Sequence, residues 1–191
     1  TTGIVHPFSC SAWIHSIHRG IDVARAENLP HVMGATGSTS EKTAQELYDL
    51  PEIACLDMGD FAGGLLKYIR KHPVPRLTIA GGFGKMVKLA QGSLDLHSAR
   101  SQVDMKFLSE LATQAGLNQS INDAILNANT ALEVLQITQE NDINITSLVA
   151  QKAYNTALTA LRDAPVELDI IIIDRQGNII AQASQKTKTN V

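Results

Sequence analysis

Three closely spaced glycines, Gly81, Gly82 and Gly84, follow an apolar strand-like run and lead into Lys85, Lys88, His97 and Arg100. Glycine lets a backbone turn tightly with no side chain in the way, so amides at the start of the next helix can face a phosphate or carboxylate. The same corner also serves close packing of a helix on a sheet. His97 stands among these cations with an imidazole that can exchange a proton near neutral pH. It reads either as a group facing a substrate or as the residue that orients the turn while Ser98 caps a helix. Asp57, at a strand end, can accept hydrogen bonds from a ligand or cap the turn that follows.

Spacing excludes several chemistries. Met86 follows Lys85 where a P-loop needs a hydroxyl for magnesium, and the four-residue gap before the lysine is missing. Gly34 to Gly37 and Gly59 to Gly64 do not complete the dinucleotide fingerprint, which leaves a nucleoside cofactor without phosphates compatible. His15 and His18 lie three apart with no acidic or cysteine partner, so no metal site is expected. Ser9, Ser38 and Ser98 read as helix caps, and none sits in a nucleophile elbow.

The elements that must carry these residues alternate. Ser9 or Ser11 can cap a helix with Trp13, Ile17, Ile21 and Ala24 on one buried stripe, ended by Pro30. His31 to Met33 is a strand, and Ser38 with Glu41 has capping-box spacing for a second helix carrying Ala44, Leu47 and Tyr48. Ile53 to Met58 reads as a strand buried on both faces, and a helix with Leu65, Leu66 and Ile69 follows. Pro73 and Pro75 precede a third strand from Arg76 to Ala80 and the helix of Met86 to Leu89.

Repeated strand, glycine turn and helix units predict an α/β fold in three layers, a mostly parallel sheet with helices on both faces. A parallel-sheet core over about 1–95 is followed by a helical annex over about 97–162, with helices near 99–115, 120–136 and 146–162. A carboxy-terminal β-hairpin over about 166–183 completes one domain, and 184–191 forms a polar, flexible tail. In such a sheet the turns leaving the strands lie along one edge, so all three glycine corners are expected to open on one crevice.

Composition bounds the partners. With 191 residues, 44% of them hydrophobic, the chain can bury a sizeable core. A formal charge of −3, no basic run and 4% aromatic residues give no electrostatic footprint for nucleic acid. No apolar stretch is long enough to span a bilayer, so no membrane partner is expected. Cys10 and Cys55 are too few for a disulfide scaffold and fit a reducing cytoplasm. The start, Thr1 to Ser9, enters strand-like structure without a signal peptide and reads as a cut edge.

The corner at 81–85, with Lys88-Leu89-Ala90 and His97-Ser98, resembles the cobalt-precorrin-5B C1-methyltransferase family, the D protein of anaerobic cobalamin biosynthesis. The likeness begins at Thr2-Gly3-Ile4-Val5 with Pro7, and continues through Gly34 to Gly37 and Phe61 with Gly63. It covers the chain to the terminal hairpin, whereas family members carry a further amino-terminal domain of similar size. The resemblance implies transfer of a methyl group from S-adenosylmethionine to carbon 1 of cobalt-precorrin-5B, giving cobalt-precorrin-6A on the vitamin B12 pathway. Cobalt then enters only within the substrate. It further implies a catalytic role for His97, which either takes a proton after transfer or hydrogen-bonds an acetate arm. Binding roles follow for Gly34, Thr36, Gly37, Phe61, Gly63, Gly81, Gly84, Lys85, Lys88, Ser98 and Arg100.

Ala35, Gly82 and Asp95-Leu96 stand where family members commonly carry Asn, His and Asn-Thr, so no binding role is carried to Ala35 or Gly82. The partners implied are the corrin precursor and the missing domain, with a homo-oligomer allowed. The alternative reading is a non-catalytic domain that binds an anionic tetrapyrrole or a nucleoside.

Overall fold

The computed structural model describes residues 9–185, with the side chains of Gln119 and Ser120 excepted. The strand expected near the amino terminus and the residues from 186 onward lie outside this range. Helix α1 (Cys10–Ala26) starts where the Ser9 hydroxyl accepts the Ala12 amide at 3.1 Å. Ile17, Ile21 and Ala24 are buried as the 3.6-residue period requires. Trp13 departs from that stripe: it is 38% exposed, and its indole N–H donates to the Asp57 carbonyl at 2.9 Å. The helix ends before Pro30, at Ala26, because Asn28 adopts a left-handed φ of 54°.

Strand β1 (His31–Ala35) and helix α2 (Ser38–Tyr48) are followed by a 3-10 turn (Glu52–Ala54) and β2 (Cys55–Asp57). Helix α3 (Ala62–Lys71), β3 (Arg76–Gly82) and α4 (Phe83–Ala90) come next. Four helices then precede the last two strands: α5 (Met105–Gln114), α6 (Gln119–Leu126), α7 (Ala131–Glu140) and α8 (Thr146–Leu161). The chain closes with β4 (Glu167–Ile173) and β5 (Ile179–Ser184). The sheet runs in the order β2-β1-β3-β4-β5, parallel throughout except for the antiparallel pair β4 and β5. This is the mixed α/β sheet that the alternation of elements predicts, hairpin included.

Alternate residues face opposite sides. Val32, Leu56, Leu77, Ile79, Leu168, Ile170 and Ile172 join the larger core with α1, α3, α4 and α8. Met33, Ala35, Ala80, Ile171 and Ile173 form a smaller one with Ala44 of α2. Helices therefore cover both faces, unequally. Among the described residues no buried polar side-chain atom lacks a partner, and no helix is long and apolar enough to cross a membrane.

Several boundaries differ from expectation for identifiable reasons. β2 is a three-residue edge strand, and Ile53 falls in the 3-10 turn at 45% exposure instead of in a doubly buried strand. The Ser38 and Glu41 capping box does not form: Ser38 is already helical, and the cap position belongs to Gly37, which has no side chain to offer. In the annex, α5 starts at Met105 because the Asp104 carboxylate accepts the Lys106 amide at 2.8 Å. One helix expected over 120–136 is two. The Thr130 hydroxyl accepts the Glu133 amide at 3.1 Å while Glu133 accepts the Asn129 amide at 2.8 Å, so α7 begins there. Ser184, expected in the tail, closes β5.

The third glycine corner is less a loop than a strand running directly into a helix, since β3 extends through Gly81 and Gly82 and α4 begins at Phe83. A Cβ on Gly81 would lie 2.8 Å from the Met86 sulfur and 2.9 Å from the Thr36 side chain. Gly81 is therefore the close-approach residue that seats α4 on the sheet. Gly81→Ala should destabilise the fold by about 1–3 kcal/mol through overpacking, read as a lower midpoint in urea. A midpoint equal to that of the unaltered chain would show that Met86 and Thr36 yield without cost.

A candidate anion-binding cleft at the carboxyl edge of the sheet

β1 and β3 are neighbours, yet α2 leaves β1 toward one face and α4 leaves β3 toward the other. Divergence of this kind opens a crevice beyond the strand ends. The last rung across the gap is the Thr36 amide donating to the Ala80 carbonyl at 3.0 Å. Above it lies a cleft of about 1330 Å³ lined by Thr36 and Gly37 from the first corner, and by Gly82, Gly84, Lys85 and Lys88 from the third. Ser98, the α7 side chains Gln136 and Gln139, and the β4–β5 turn residues Asp174 and Arg175 complete the walls. The cap positions of α2 and α4, Gly37 and Gly82, make no side-chain hydrogen bond to their helices. First-turn amides at both helices are thus left for a ligand or water, with the positive ends of two helix dipoles at the cleft.

The lysines are held by a strap over residues 91–104 that follows α4. Leu96 accepts from Lys88 Nζ at 3.0 Å and from Lys85 Nζ at 3.3 Å through a single backbone carbonyl. Lys85 also pairs with Asp60. The strap is in turn stitched to the second corner, where Gly63 N–H donates to Leu94 O at 2.7 Å and Leu96 N–H donates to Asp60 O at 2.8 Å. Lys88 is only 7% exposed. Burial holds its ammonium below the usual lysine range and Lys85 adds to the effect, while Asp60 and Asp95 oppose it.

Not every expected site residue reaches the cleft. Thr36, Gly37, Gly84, Lys85, Lys88 and Ser98 line it together. Gly34 and Gly81 lie within strands behind it, Gly34 with a side of its backbone closed by Leu65. Phe61 and Gly63 line a separate hollow with Ile14, His18 and Tyr68, so two glycine corners share the cleft and the second does not. The second corner is turned away because Gly63 packs against the back of the strap, where a Cβ would meet Leu94 at 3.0 Å.

His97 and Arg100 are exposed on the strap outside the lining. His97 Nδ1 accepts the Ala99 amide at 3.1 Å, and the His97 carbonyl accepts the Arg100 and Ser101 amides, each at 2.9 Å. Arg100 bonds Asp95 at 2.6 Å, and the His97 amide donates to the same carboxylate at 3.1 Å. Ser98 starts no helix; its carbonyl accepts from Gln102. Asp57 stays exposed at the end of β2, its carbonyl taken by Trp13. His18 stacks on Tyr68 with ring centroids 4.0 Å apart.

Asp60, Gln136, Gln139 and Arg175 were not legible as cleft residues or supports. Asp60 follows a left-handed Gly59 (φ 53°), which marks a turn in sequence but not a lysine partner. The other three reach the cleft only because α7 and the hairpin fold back over the strand ends.

Residues 95–184 match the family described as CbiD, C-terminal domain. The chain resembles that family over this carboxy-terminal part. Over 182 residues, 95% of its length, it is 66% identical to a cobalt-precorrin-5B C(1)-methyltransferase of Brucella anthropi and 65% identical to those of Brucella canis and Brucella abortus. It spans about half the length of these relatives, 50% of each. No solved structure matches it significantly.

The strap should be sensitive to acid. Burial works against the Asp95 carboxylate, but hydrogen bonds from Arg100 and the His97 amide outweigh it and hold its pKa below the ordinary 3.8. A carboxylate with a depressed folded pKa lends stability above its unfolded pKa and loses it as pH falls through the folded value. Urea stability measured from pH 5 downward should decline below about pH 4, and Asp95→Asn should remove part of that slope. Equal slopes would show that the Asp95 cluster is not linked to folding.

Proposed function

We propose that this chain is the half of a cobalt-precorrin-5B C1-methyltransferase that builds the reaction cleft, and that the cleft aligns S-adenosylmethionine with carbon 1 of the cobalt corrin substrate. The observation that carries the reading is the meeting of two uncapped helix starts and two lysines in one cleft of about 1330 Å³. Single-ligand sites usually measure roughly 300–1,000 Å³, so this one has room for a donor and part of a macrocycle. The relatives' name supports the reaction, and their doubled length supports a second half that closes the pocket.

Methyl transfer from a sulfonium needs neither a protein nucleophile nor a metal: the substrate carbon forms the new C–C bond, the C–S pair returns to sulfur, and a proton leaves the corrin. The chain's task is alignment and exclusion of water, which can account for about 7–11 kcal/mol of a barrier. Amides at the starts of α2 and α4, from the cap residue Gly37 and from Gly84 in the first turn, suit a methionine carboxylate, with Thr36 beside them. Lys85, Lys88 and Ser98 suit the carboxylate arms of the macrocycle. Gly34 and Gly81 support the strands beneath, Phe61 and Gly63 back the strap, and His97 with Arg100 holds its turn. The two cysteines are unpaired, which agrees with a cytoplasmic setting.

Calorimetry with S-adenosylhomocysteine tests the cleft, and mass spectrometry of the corrin after addition of the relatives' other half tests transfer. Retention of the nucleoside and a gain of one methyl group are expected. Binding without transfer by the completed protein would favour a non-catalytic module. Gly37 has an extended φ of 168° and nothing within 4 Å of a Cβ, so Gly37→Asp fits. It should cap α2, raise stability by about 0.5–1 kcal/mol, and weaken S-adenosylhomocysteine at least about tenfold. Unchanged affinity would remove the α2 amides from the site.

A further inference from the structure

Lys85 and Lys88 are one helical turn apart, and both ammonium groups touch the same acceptor, the Leu96 carbonyl. Two positive charges on one neutral oxygen repel each other, and of the two Lys88 is the buried one while the Lys85 side chain is 35% exposed, so water screens the Lys88 ammonium least. The arrangement needs a counter-charge. Asp60 supplies it from the second corner: its carboxylate pairs with Lys85, and its own carbonyl accepts the Leu96 amide at 2.8 Å, holding the residue whose carbonyl both lysines grip. Asp60 lies outside the cleft lining, so it reaches a ligand only through the lysines.

We propose that Asp60 is a positioning residue, the counter-ion that keeps Lys85 and Lys88 together as ammonium groups at the cleft wall. This rests on the reading of the cleft as a site for anionic ligands and assigns the carboxylate arms of a polycarboxylated tetrapyrrole to the lysine pair. The charged groups acting on Lys88 are Lys85 on its own helix, Asp60 on the β2–α3 corner and Asp95 on the strap. Helices α7 and α8, also packed on α4, contribute none among the described residues. Without the Asp60 charge, the buried Lys88 ammonium beside Lys85 loses its proton at a lower pH. The second corner thereby serves the cleft without touching a ligand.

Asp60→Asn tests this, because it keeps the side-chain volume and leaves the backbone bond to Leu96 in place. The ligand-free titration of 13Cε-labelled lysines, followed by NMR from pH 7 to 11, reads Lys88 directly. Its midpoint should fall by about one pH unit in Asp60→Asn. Uroporphyrin, an octacarboxylate, serves as the binding probe over the same range. The alkaline loss of its affinity should begin about one unit lower in Asp60→Asn, and the difference should vanish when Lys88→Met is added. A Lys88 titration that does not move, or a uroporphyrin shift that survives Lys88→Met, overturns the proposal. A shifted Lys88 titration with no uroporphyrin retained by any form would sustain the electrostatic coupling and overturn the anionic-cleft reading alone.

Discussion

The constraint on which the structure depends is that β1 and β3 lie side by side while their helices depart to opposite faces. The crossover from β1 runs to β2 on one side and that from β3 runs to β4 on the other, and right-handed connections in opposite directions put their helices on opposite faces, so the space above the Thr36 to Ala80 rung stays unfilled by secondary structure. Everything that lines the cleft is placed by that divergence. The α2 and α4 starts point into it because each follows its strand without a long loop. α7 and the β4–β5 turn close the sides because the annex returns the chain to β4, next to β3.

Side-chain volume is what keeps this junction tight. Gly81 lets Met86 and Thr36 approach the same point on β3, and Gly34 accepts Leu65 against β1. These glycines act through close approach, with no unusual backbone angle required. Gly63 does the same for the strap, whose Leu94 fills the space that a Cβ would need. Packing thus sets the strap, and the strap sets the lysines.

Electrostatics of the cleft are more balanced than a count of nearby cations suggests. Arg100 is occupied by Asp95 on the outer side of the strap, and Lys85 by Asp60 behind the wall. Lys88 keeps a buried ammonium whose hydrogen-bonding partner is a backbone carbonyl. The positive character available to a ligand therefore comes from Lys88, the paired Lys85, Arg175 and the helix-start amides, acting over a few ångströms in a chain whose formal charge is −3. Such local fields bind anions without the broad basic surface that nucleic acid requires.

Local pattern alone determined the alternation of strands and helices, the hairpin at Asp174 to Asn178, the buried stripe of Ile17, Ile21 and Ala24, and the glycine corners as places where backbone comes close. These depend on periodicity and turn chemistry within a few residues. Local pattern missed the split at Asn127 to Thr130 and the bare cap at Gly37, where hydrogen bonds between near neighbours had several similar solutions. Tertiary structure alone decided that the second corner faces away, that His97 and Arg100 hold a turn outside the cleft, and that Asp60 stands behind Lys85. Those outcomes depend on strand order and on which face each crossover takes, and contacts such as Lys85 with Asp60, 25 positions apart, or Arg76 with Glu167, 91 apart, leave no periodic trace in the chain.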